Sequence, residues 1–369
     1  MTASAQITAL LLEQGCEIPD IPILQPAEPF LETIGEDIRR RMFTTSGDDG
    51  VEMCLRPEFT IPICLHWLAG DNRSAGRFGY LGPVFRRQRR TSNEFQQAGV
   101  EDFGAPDSLA ADARILGDAL AAVSALGGGV PTIRFGDPQL FHAVTGAMNL
   151  TPADRSRLRR AFGHDATMNR ELGLADRLNS SADLPAAIQQ ALLIAEDEAQ
   201  ATAITEIITQ QMAERHYAPA GRSAADIARR LIDKHRPVEG AREAEHAQLL
   251  KAVLDLDVPL SGAVDALRDL LPAALADTVL AQVDFGARVR ALEDVGVDSS
   301  KVHLQGGFGR RLDYYTGMVF ELLDTDAQRT VLAAGGRYDR LMQYLGYDRA
   351  VPSVGYSLWV DRIARREAI

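Results

Sequence analysis

The sequence predicts an α+β protein in which a β-rich core is interrupted by a mostly helical insertion. Segments with strand-like alternation are confined to residues 1–136 and 296–369. Residues 137–295 are instead Ala-rich, punctuated by turn residues, and space their apolar residues as helices do. A length of 369 residues suits two to three domains or one core with a large insertion. We therefore assign the first two ranges to the core and residues 137–295 to the insertion.

The elements of the first core segment follow from local patterns. Ile7, Leu10 and Leu11 repeat at helical spacing and predict a first helix within residues 1–15. The prolines of E-I-P-D-I-P-I-L-Q-P, from Glu17, favour an extended segment or edge strand. Asp107 or Ser108 is expected to cap a later helix that ends at three consecutive glycines. Further elements are strands at residues 52–55, 76–87, 95–103 and 130–136, and a helix at 61–68.

The rest of the chain is predicted as helices followed by a return to strands. Helical periodicity marks residues 184–215, 222–234, 243–255, 261–270 and 272–295. Strands are expected at residues 302–304, 314–323 and 330–334, before a closing strand and helix.

Composition narrows the function classes. The formal net charge of −12 makes a long polyanion such as nucleic acid a poor first choice of partner. Cys16, Cys54 and Cys64 form no CxxC pair and are expected to be buried free thiols in a reducing compartment. The seven histidines lack metal-ligand spacing, so neither a metal nor a cofactor is predicted.

The protein is also expected to be cytoplasmic. No run approaches the roughly 18 uncharged apolar residues of a membrane span. The N-terminal stretch lacks a basic region and is interrupted by Glu13, which argues against a signal peptide.

Two motifs in the first core segment could bind a small charged molecule. L-R-P-E-F-T places Glu58 and Thr60 on one face if the backbone is extended, which makes either an ammonium cradle or an ordinary charged strand end. The hairpin that follows puts Arg86 on one strand, and Gln97 and Glu101 on the other. Such a pair of strands could hold a zwitterion or a phosphate, whereas Arg89 and Arg90 fit a solvated hairpin tip.

Two motifs in the second core segment carry aromatic residues. In G-R-R-L-D-Y-Y-T-G, Tyr314 and Tyr315 would face opposite sides of a strand, so that at most one of them packs in the core. The adjacent Arg310 and Arg311, in the same motif, cannot both be buried without anionic partners. In A-A-G-G-R-Y-D-R-L, the double glycine allows close backbone approach and Tyr338 follows at the predicted start of a helix.

Taken in order, these motifs resemble the catalytic core of a class II aminoacyl-tRNA synthetase of the histidyl type. P-D-I-P-I-L-Q-P with Pro22 resembles the dimer-forming motif 1, G-P-V-F-R-R-Q with Arg86 resembles motif 2, and V-G-Y-S-L-W-V-D-R with Arg362 resembles motif 3. The two tyrosine motifs resemble the histidine-recognition segments. The resemblance implies an antiparallel sheet of six or seven strands with flanking helices.

The resemblance also implies a role for each candidate residue. Glu58, Thr60 and Gln97 would hold the α-amino group of histidine. The imidazole would be gripped by Glu101, Tyr315 and Tyr338, with Tyr314 in the same site, and the carboxylate would face Arg86 and Arg310.

The sequence departs from the synthetases on the ATP and tRNA side. Gln88 replaces a glutamate that reads adenine, and Arg311 replaces a glycine. Trp359 stands where a glycine lies flat against ATP, and an indole adds about 150–250 Å² of surface to that space. The chain also ends just after motif 3, so no anticodon-binding domain is expected.

This combination is similar to the ATP phosphoribosyltransferase regulatory subunit family. That resemblance implies a non-catalytic partner of the short-form catalytic subunit, which joins ATP to phosphoribosyl pyrophosphate in the first step of histidine synthesis. It further implies L-histidine as effector, and a homodimer within a hetero-oligomer that is an octamer by family analogy. The alternatives are an active histidyl-tRNA synthetase-like ligase, a separate histidine-binding or scaffold protein, and a pocket that no longer binds anything.

Overall fold

The described chain forms two compact units. The computed structural model describes residues 3–47, 50–70, 74–89, 91–148, 150, 152–172, 185–192, 194, 197–214, 223–235, 241–309, 314–326 and 328–364. One unit combines Met1–Ala147 with Val253–Ile369, and the other is Met148–Ala252. Residues 253–295, which we had assigned to the insertion, therefore belong to the core unit. The reason is that they supply one strand of its sheet and helices that pack against it.

The strands are, in chain order, β1 (Leu24–Pro26), β2 (Phe43–Ser46), β3 (Glu52–Leu55), β4 (Gly76–Phe85), β5 (Glu94–Phe103), β6 (Thr132–Gly136), β7 (Asp257–Pro259), β8 (Val302–Gln305), β9 (Val319–Leu323), β10 (Val331–Arg337) and β11 (Ser353–Trp359). The helices are α1 (Ala3–Glu13), α2 (Glu28–Thr33), α3 (Glu36–Arg39), α4 (Thr60–Ala69), α5 (Ser108–Ala125), α6 (Pro138–Ala147), α7 (Pro152–Ala161), α8 (Asp165–Leu172), α9 (Ala186–Ala191), α10 (Asp197–Glu214), α11 (Ala224–His235), α12 (Ala241–Leu254), α13 (Ala263–Leu270), α14 (Ala273–Leu280), α15 (Phe285–Asp294), α16 (Leu341–Tyr344) and α17 (Val360–Ala364).

The core unit is built on an eight-stranded sheet in the described part of the chain. Its strand order is β4-β5-β11-β10-β9-β6-β8-β7. All neighbouring strands are antiparallel except β6 and β8, which are parallel. The α+β class and the class II-like antiparallel sheet are confirmed, but the expected six or seven strands were too few. The strand that the periodicity missed is β7, a three-residue edge strand that ends at Pro259.

A second, smaller sheet is formed by three strands that precede β4 in the chain. Its order is β1-β3-β2, and all its pairings are antiparallel. The proline-rich segment is extended as predicted, and it bridges β4 at Glu17 before it becomes β1. Because β1 is short and carries Pro26, it suits an edge position.

Helix α5 covers one face of the large sheet. Asp107 caps it by accepting a hydrogen bond from the backbone N–H of Ala110 at 3.0 Å, as the sequence predicted. The helix ends at Ala125, and Gly127 follows with φ +78° in the left-handed region. Its inward face includes Ile115, Leu116 and Val123, which are fully buried.

The second unit is helical, in agreement with the predicted texture of this part of the chain. Its described helices are α7 to α11 and most of α12. Helices α9, α10 and α11 enclose a small core of their own. Its buried members are Ala191, Ile204, Ile208, Ala228 and Ile232. In the described residues, no helix combines the length and apolar character that crossing a membrane requires.

Candidate functional site

Three adjacent strands form the floor of the candidate site. On β5, Gln97, Gly99 and Glu101 share one face because side chains two residues apart in a strand point the same way. Their cross-strand partners on β11 are Trp359, Ser357 and Gly355, respectively. Their partners on β4 are Gly82, Tyr80 and Phe78. Strand pairing thus assembles the floor of the site from two distant parts of the sequence, and Gln97 and Glu101 are the predicted ligand-binding residues that it carries.

Glu101 lies at the centre of this face and is almost completely buried. Its Oε1 accepts a hydrogen bond from the Thr60 hydroxyl at 2.7 Å, and its Oε2 accepts one from the Tyr338 hydroxyl. Gly355 makes this burial possible, since a Cβ at that position would lie 1.8 Å from Oε2. Burial raises the pKa of Glu101 to about 8, against the opposing effect of the hydroxyl donors. The carboxyl group is therefore mainly protonated at neutral pH.

Glu58 and Thr60 do not lie on an extended segment, so that expectation was wrong. Thr60 begins α4, and both Glu58 oxygens accept backbone N–H groups there, from Thr60 at 2.6 Å and from Ile61 at 2.9 Å. A helix N-terminus has unpaired donors and a partial positive charge, which explains why it folds onto this carboxylate. Burial nevertheless raises the pKa of Glu58. Thr60 keeps its hydroxyl on Glu101, so the two residues do meet at the site.

Among the candidate residues that the structure describes, Gln97 carries a buried polar atom without a partner. Its side chain is buried, and its Oε1 has no hydrogen-bond partner among the described atoms. A buried acceptor without a donor costs about 1–3 kcal/mol. Gln97 points to the same face as Glu101, so a ligand that brings an N–H donor to this face would relieve that cost.

Three tyrosines form an aromatic cluster next to Glu101. The ring centroids of Tyr314 and Tyr338 are 5.7 Å apart in an edge-to-face arrangement, and those of Tyr314 and Tyr315 are 5.1 Å apart. The Tyr315 ring lies against Gly336, where a Cβ would come within 2.7 Å of it. Burial raises the pKa of Tyr338, so its hydroxyl remains a donor to Glu101.

Two predictions about these tyrosines were wrong. Tyr314 and Tyr315 lie in a turn before β9 rather than in the strand, because the Thr316 N–H bonds to the Arg337 carbonyl at 2.8 Å. Both rings can therefore lie on the same side of the chain. Tyr338 directly follows β10 and precedes the short helix α16, which begins three residues later.

Of the two arginines that were predicted to face a carboxylate, Arg86 lies in the described residues and Arg310 does not. Arg86 is half-buried at the end of β4, where its Nε donates to the Pro57 carbonyl at 2.6 Å. Its guanidinium lies over the Phe95 ring, 5.5 Å from the centroid, and its charge favours the ionised form of Glu58. Arg310, like Arg311, falls outside the described residues.

In motif 3 and in the motif 2 loop, polar side chains form contacts within the protein. Arg362 places its guanidinium over the Trp359 ring, 4.8 Å from the centroid, and donates to the Val331 carbonyl at 2.7 Å. Trp359 is nine-tenths buried and pairs with Gln97 across the strands. In the motif 2 loop, the Gln88 amide donates to the Ser92 carbonyl at 3.1 Å. These contacts occupy positions that the sequence linked to ATP, and the exclusion of ATP by Trp359 remains a prediction.

Tyr80 belongs to the site although the sequence analysis did not select it. It is buried, stacks on Phe59 with ring centroids 4.5 Å apart, and shares a hydrogen bond with the Ser357 hydroxyl at 2.7 Å. Its hydroxyl also lies 3.5 Å from Glu101 Oε1. The predicted hairpin contained the necessary signal, since pairing around its loop sets Tyr80 opposite Gly99.

The cysteines are buried and unbridged, as predicted, and all three lie in the described part of the chain. Burial raises the pKa of Cys16 to about 11 and that of Cys54 to about 12, so these thiols are unreactive at neutral pH. Within the described residues, no group of three or more His, Cys, Asp or Glu side chains could hold a metal ion.

The raised pKa of Glu101 predicts how stability depends on pH. Between about pH 4.5 and 8 the folded chain keeps a proton on Glu101 that the unfolded chain releases, so the free energy of unfolding falls as pH rises. Relative to Glu101→Gln, the wild type should lose up to about 1.4 kcal/mol per pH unit over this range. Urea unfolding of both proteins from pH 5 to 9 measures the difference. A difference that does not change with pH would mean that Glu101 titrates normally.

Comparisons with known proteins agree with the fold. A family model described as histidyl-tRNA synthetase matches residues 2–228 and 171–363. Among solved structures, an ATP phosphoribosyltransferase regulatory subunit/histidyl-tRNA synthetase from Bacillus halodurans superposes with a TM-score of 0.65 at 20% identity, covering 98% of this chain and 77% of that one. A histidyl-tRNA synthetase from Nostoc superposes with a TM-score of 0.63 at 14% identity, covering 99% and 70%. These likenesses establish the fold.

Sequence relatives establish the family. An ATP phosphoribosyltransferase regulatory subunit from Mesorhizobium japonicum is 42% identical over 369 residues, which is 99% of this chain and 97% of the relative. One from Allorhizobium ampelinum is 41% identical over 352 residues, covering 95% and 93%. With these relatives at near-full length and the synthetase-like site described above, the chain belongs to the ATP phosphoribosyltransferase regulatory subunit family, within the histidyl-tRNA synthetase-like fold.

Proposed function

We propose that this chain is a non-catalytic, cytoplasmic subunit that binds L-histidine and assembles with the catalytic subunit of ATP phosphoribosyltransferase. The observation that carries the proposal is the buried, unpaired Oε1 of Gln97, on the same face of β5 as the Glu101 carboxyl group. An α-ammonium group brings three donors and no acceptor, which suits an unpaired amide oxygen. Glu58 and Thr60, at the start of α4, are proposed to complete the ammonium end of the site, and the Thr60 hydroxyl is anchored there by its hydrogen bond to Glu101.

The other end of the site suits an imidazole ring. Tyr314, Tyr315 and Tyr338 supply aromatic surfaces, and Glu101 supplies a carboxyl group that can donate or accept a proton at neutral pH. An imidazole is planar and carries one donor and one acceptor when neutral. Arg86, together with Arg310, is proposed to face the histidine carboxylate.

The contacts of the motif 3 region support a non-catalytic role. An adenylating enzyme needs free arginines and an open surface for ATP, because positioning and charge stabilisation supply most of the catalysis of such transfers. Here Arg362 is engaged by the Val331 carbonyl and the Trp359 ring. The floor thus has an unpaired acceptor at Gln97 and, directly opposite it on β11, an indole that contacts the engaged Arg362.

Calorimetry of the purified chain tests the ligand. L-histidine should bind and ATP should give no heat, while Glu101→Ala should abolish histidine binding. Gln97→Ala should weaken it about 10- to 100-fold, the effect of losing one hydrogen bond to a charged group. Gln96→Ala is the matched control, because Gln96 is the next residue of β5 and points to the opposite face.

Two other outcomes would contradict parts of this proposal. ATP binding would revive the ligase alternative, which a pyrophosphate-exchange assay would then expose. If neither L-histidine nor ATP binds, the pocket of this subunit does not by itself bind histidine.

Reconstitution with a purified short-form catalytic subunit tests the partner. The chain should raise ATP phosphoribosyltransferase activity, and L-histidine should inhibit the complex. Glu101→Ala should keep the activation but shift inhibition to at least about 10-fold higher histidine, because the pocket is remote from the chemistry. Coupling is reciprocal, so the catalytic subunit should change histidine affinity by the same factor. Unshifted inhibition in Glu101→Ala would place the inhibitory histidine elsewhere in the complex.

The homodimer is proposed to form through residues 17–26. Three large apolar side chains are exposed along this short segment, at 38% for Ile18, 43% for Ile23 and 46% for Leu24. Several exposed apolar side chains within one short segment are typical of an interaction surface. Because β1 lies at an edge of its sheet, the segment can approach a second copy.

Leu24→Asp should separate the dimer. A two-fold interface contains the change twice, so the loss is about 3–6 kcal/mol and the dimer Kd should rise about 10²- to 10⁴-fold. Sedimentation analysis measures the Kd. Val130→Asp is the control, since Val130 is 80% exposed and lies outside residues 17–26. An unchanged dimer in Leu24→Asp would rule out this surface.

A further inference from the structure

A buried group of charges lies on the opposite side of β10 from the candidate site. Asp112, on α5, accepts hydrogen bonds from two guanidinium groups, one on each carboxylate oxygen. Arg337 Nε donates to Oδ1 at 2.8 Å, and Arg288 Nη1 donates to Oδ2 at 2.8 Å. All three side chains are at least nine-tenths buried. Buried charges of this kind depend on one another, because removal of one leaves its partners uncompensated.

The charges continue into a closed ring of hydrogen bonds. Arg288 Nη2 donates to Asp137 Oδ2 at 3.0 Å, and Asp137 Oδ1 accepts the Gln139 N–H at 2.8 Å. The Gln139 side-chain amide then donates to the Thr316 carbonyl at 3.0 Å. The Thr316 N–H bonds back to the Arg337 carbonyl at 2.8 Å. The ring therefore joins α5, α6, α15, β10 and the turn before β9.

The ring fixes backbone groups close in sequence to the three tyrosines of the pocket. Tyr338 lies between Arg337 and Asp339, and Asp339 accepts a hydrogen bond from Arg337 Nη1 at 2.8 Å. The Thr316 hydroxyl accepts the Asp339 N–H at 3.0 Å. Thr316 directly follows Tyr314 and Tyr315 in the chain. Each tyrosine of the pocket is thus within two residues of a backbone group that the ring fixes.

The ammonium end of the pocket is held by other contacts. Glu58 and Thr60 are fixed by the start of α4, and Gln97 is fixed by β5 pairing with β4 and β11. None of the bonds in the ring involves these three residues. The ring therefore bears directly on the aromatic end of the pocket, and it reaches the ammonium end only indirectly, through the hydrogen bonds of Tyr338 and Thr60 to Glu101.

We propose that Arg288 and Asp112 are positioning residues for the ligand, acting through Arg337 and Thr316 on the three tyrosines that enclose the aromatic end of the pocket. This inference rests on the proposed histidine site. It assigns a binding role to α15, a helix of the segment 253–295 that the sequence had placed outside the core. A shift of α15 would change ligand affinity without touching the ligand.

Histidine affinity in two matched variants tests the proposal. Arg288→Met removes a guanidinium from the ring, and Arg290→Met removes an exposed one from the same helix. Calorimetry should show about 10-fold weaker L-histidine binding for Arg288→Met and unchanged binding for Arg290→Met. Thr316→Val removes only the hydroxyl between the turn and Asp339, and should weaken binding by about 3- to 10-fold while the unfolding midpoint stays near that of the wild type.

Double variants separate positioning from general destabilisation. The effect of Arg288→Met should shrink to about 3-fold or less when Tyr338→Phe is already present, because both act on the aromatic end. It should persist at about 10-fold in the Gln97→Ala background, since that residue is held independently. Equal effects in both backgrounds would indicate a structural role only and would overturn the proposal.

The remaining outcomes are also decisive. Unchanged histidine affinity in Arg288→Met and Thr316→Val would overturn the positioning role while leaving the histidine site intact. If Arg288→Met does not fold, the affinity of Thr316→Val alone decides in the same way. A wild type that does not bind histidine would overturn the proposed site together with this inference.

Discussion

Burial of the Glu101 carboxyl group is the constraint on which the candidate site depends. A carboxyl group can be buried only if its oxygens find donors, and Glu101 finds them in Thr60 and Tyr338, with Tyr80 nearby. Those donors come from α4, from the end of β10 and from β4. The glycine at position 355 supplies the space. Because one side chain collects partners from distant parts of the sequence, the surroundings of Glu101 form only when α4, β4, β5, β10 and β11 have come together.

Neighbouring positions on the floor of the site differ in their contacts. Gln97 has a buried acceptor without a partner among the described atoms, a cost that a protein retains for binding or for strain. Directly opposite on β11, the Trp359 indole packs against the Arg362 guanidinium, which also donates to the Val331 carbonyl. Such local differences can separate the activities of proteins that share a fold, because activity resides in a few side chains.

Asp112, Arg288 and Arg337 form a group of buried charges on the side of β10 opposite the pocket. Asp112 is shared by Arg288 and Arg337, so two helices and a strand are linked through one carboxylate. Charge pairs of this kind contribute little net stability but define geometry, since each polar atom must meet its partner. That geometry matters most where Tyr338 and the turn carrying Tyr314 must present their rings to the same space. A regulatory subunit needs a pocket whose shape is linked to the elements around it, and this group of charges provides such a link.

The sequence by itself determined the α+β class, the strands that carry Gln97 and Glu101, and the residues that resemble a histidine site. Alternation within a strand assigns Gln97 and Glu101 to one face without any tertiary information. It could not decide that Glu58 caps α4, that Tyr314 and Tyr315 lie in a turn, or that residues 253–295 join the core. Those features depend on partners far away in the chain, such as the Arg337 carbonyl that accepts the Thr316 N–H. Local periodicity does not indicate such partners. The predicted hairpin could have set Tyr80 opposite Gly99, but the contact of Tyr80 with Ser357 depends on the pairing of β5 with β11, which lies far away in the chain.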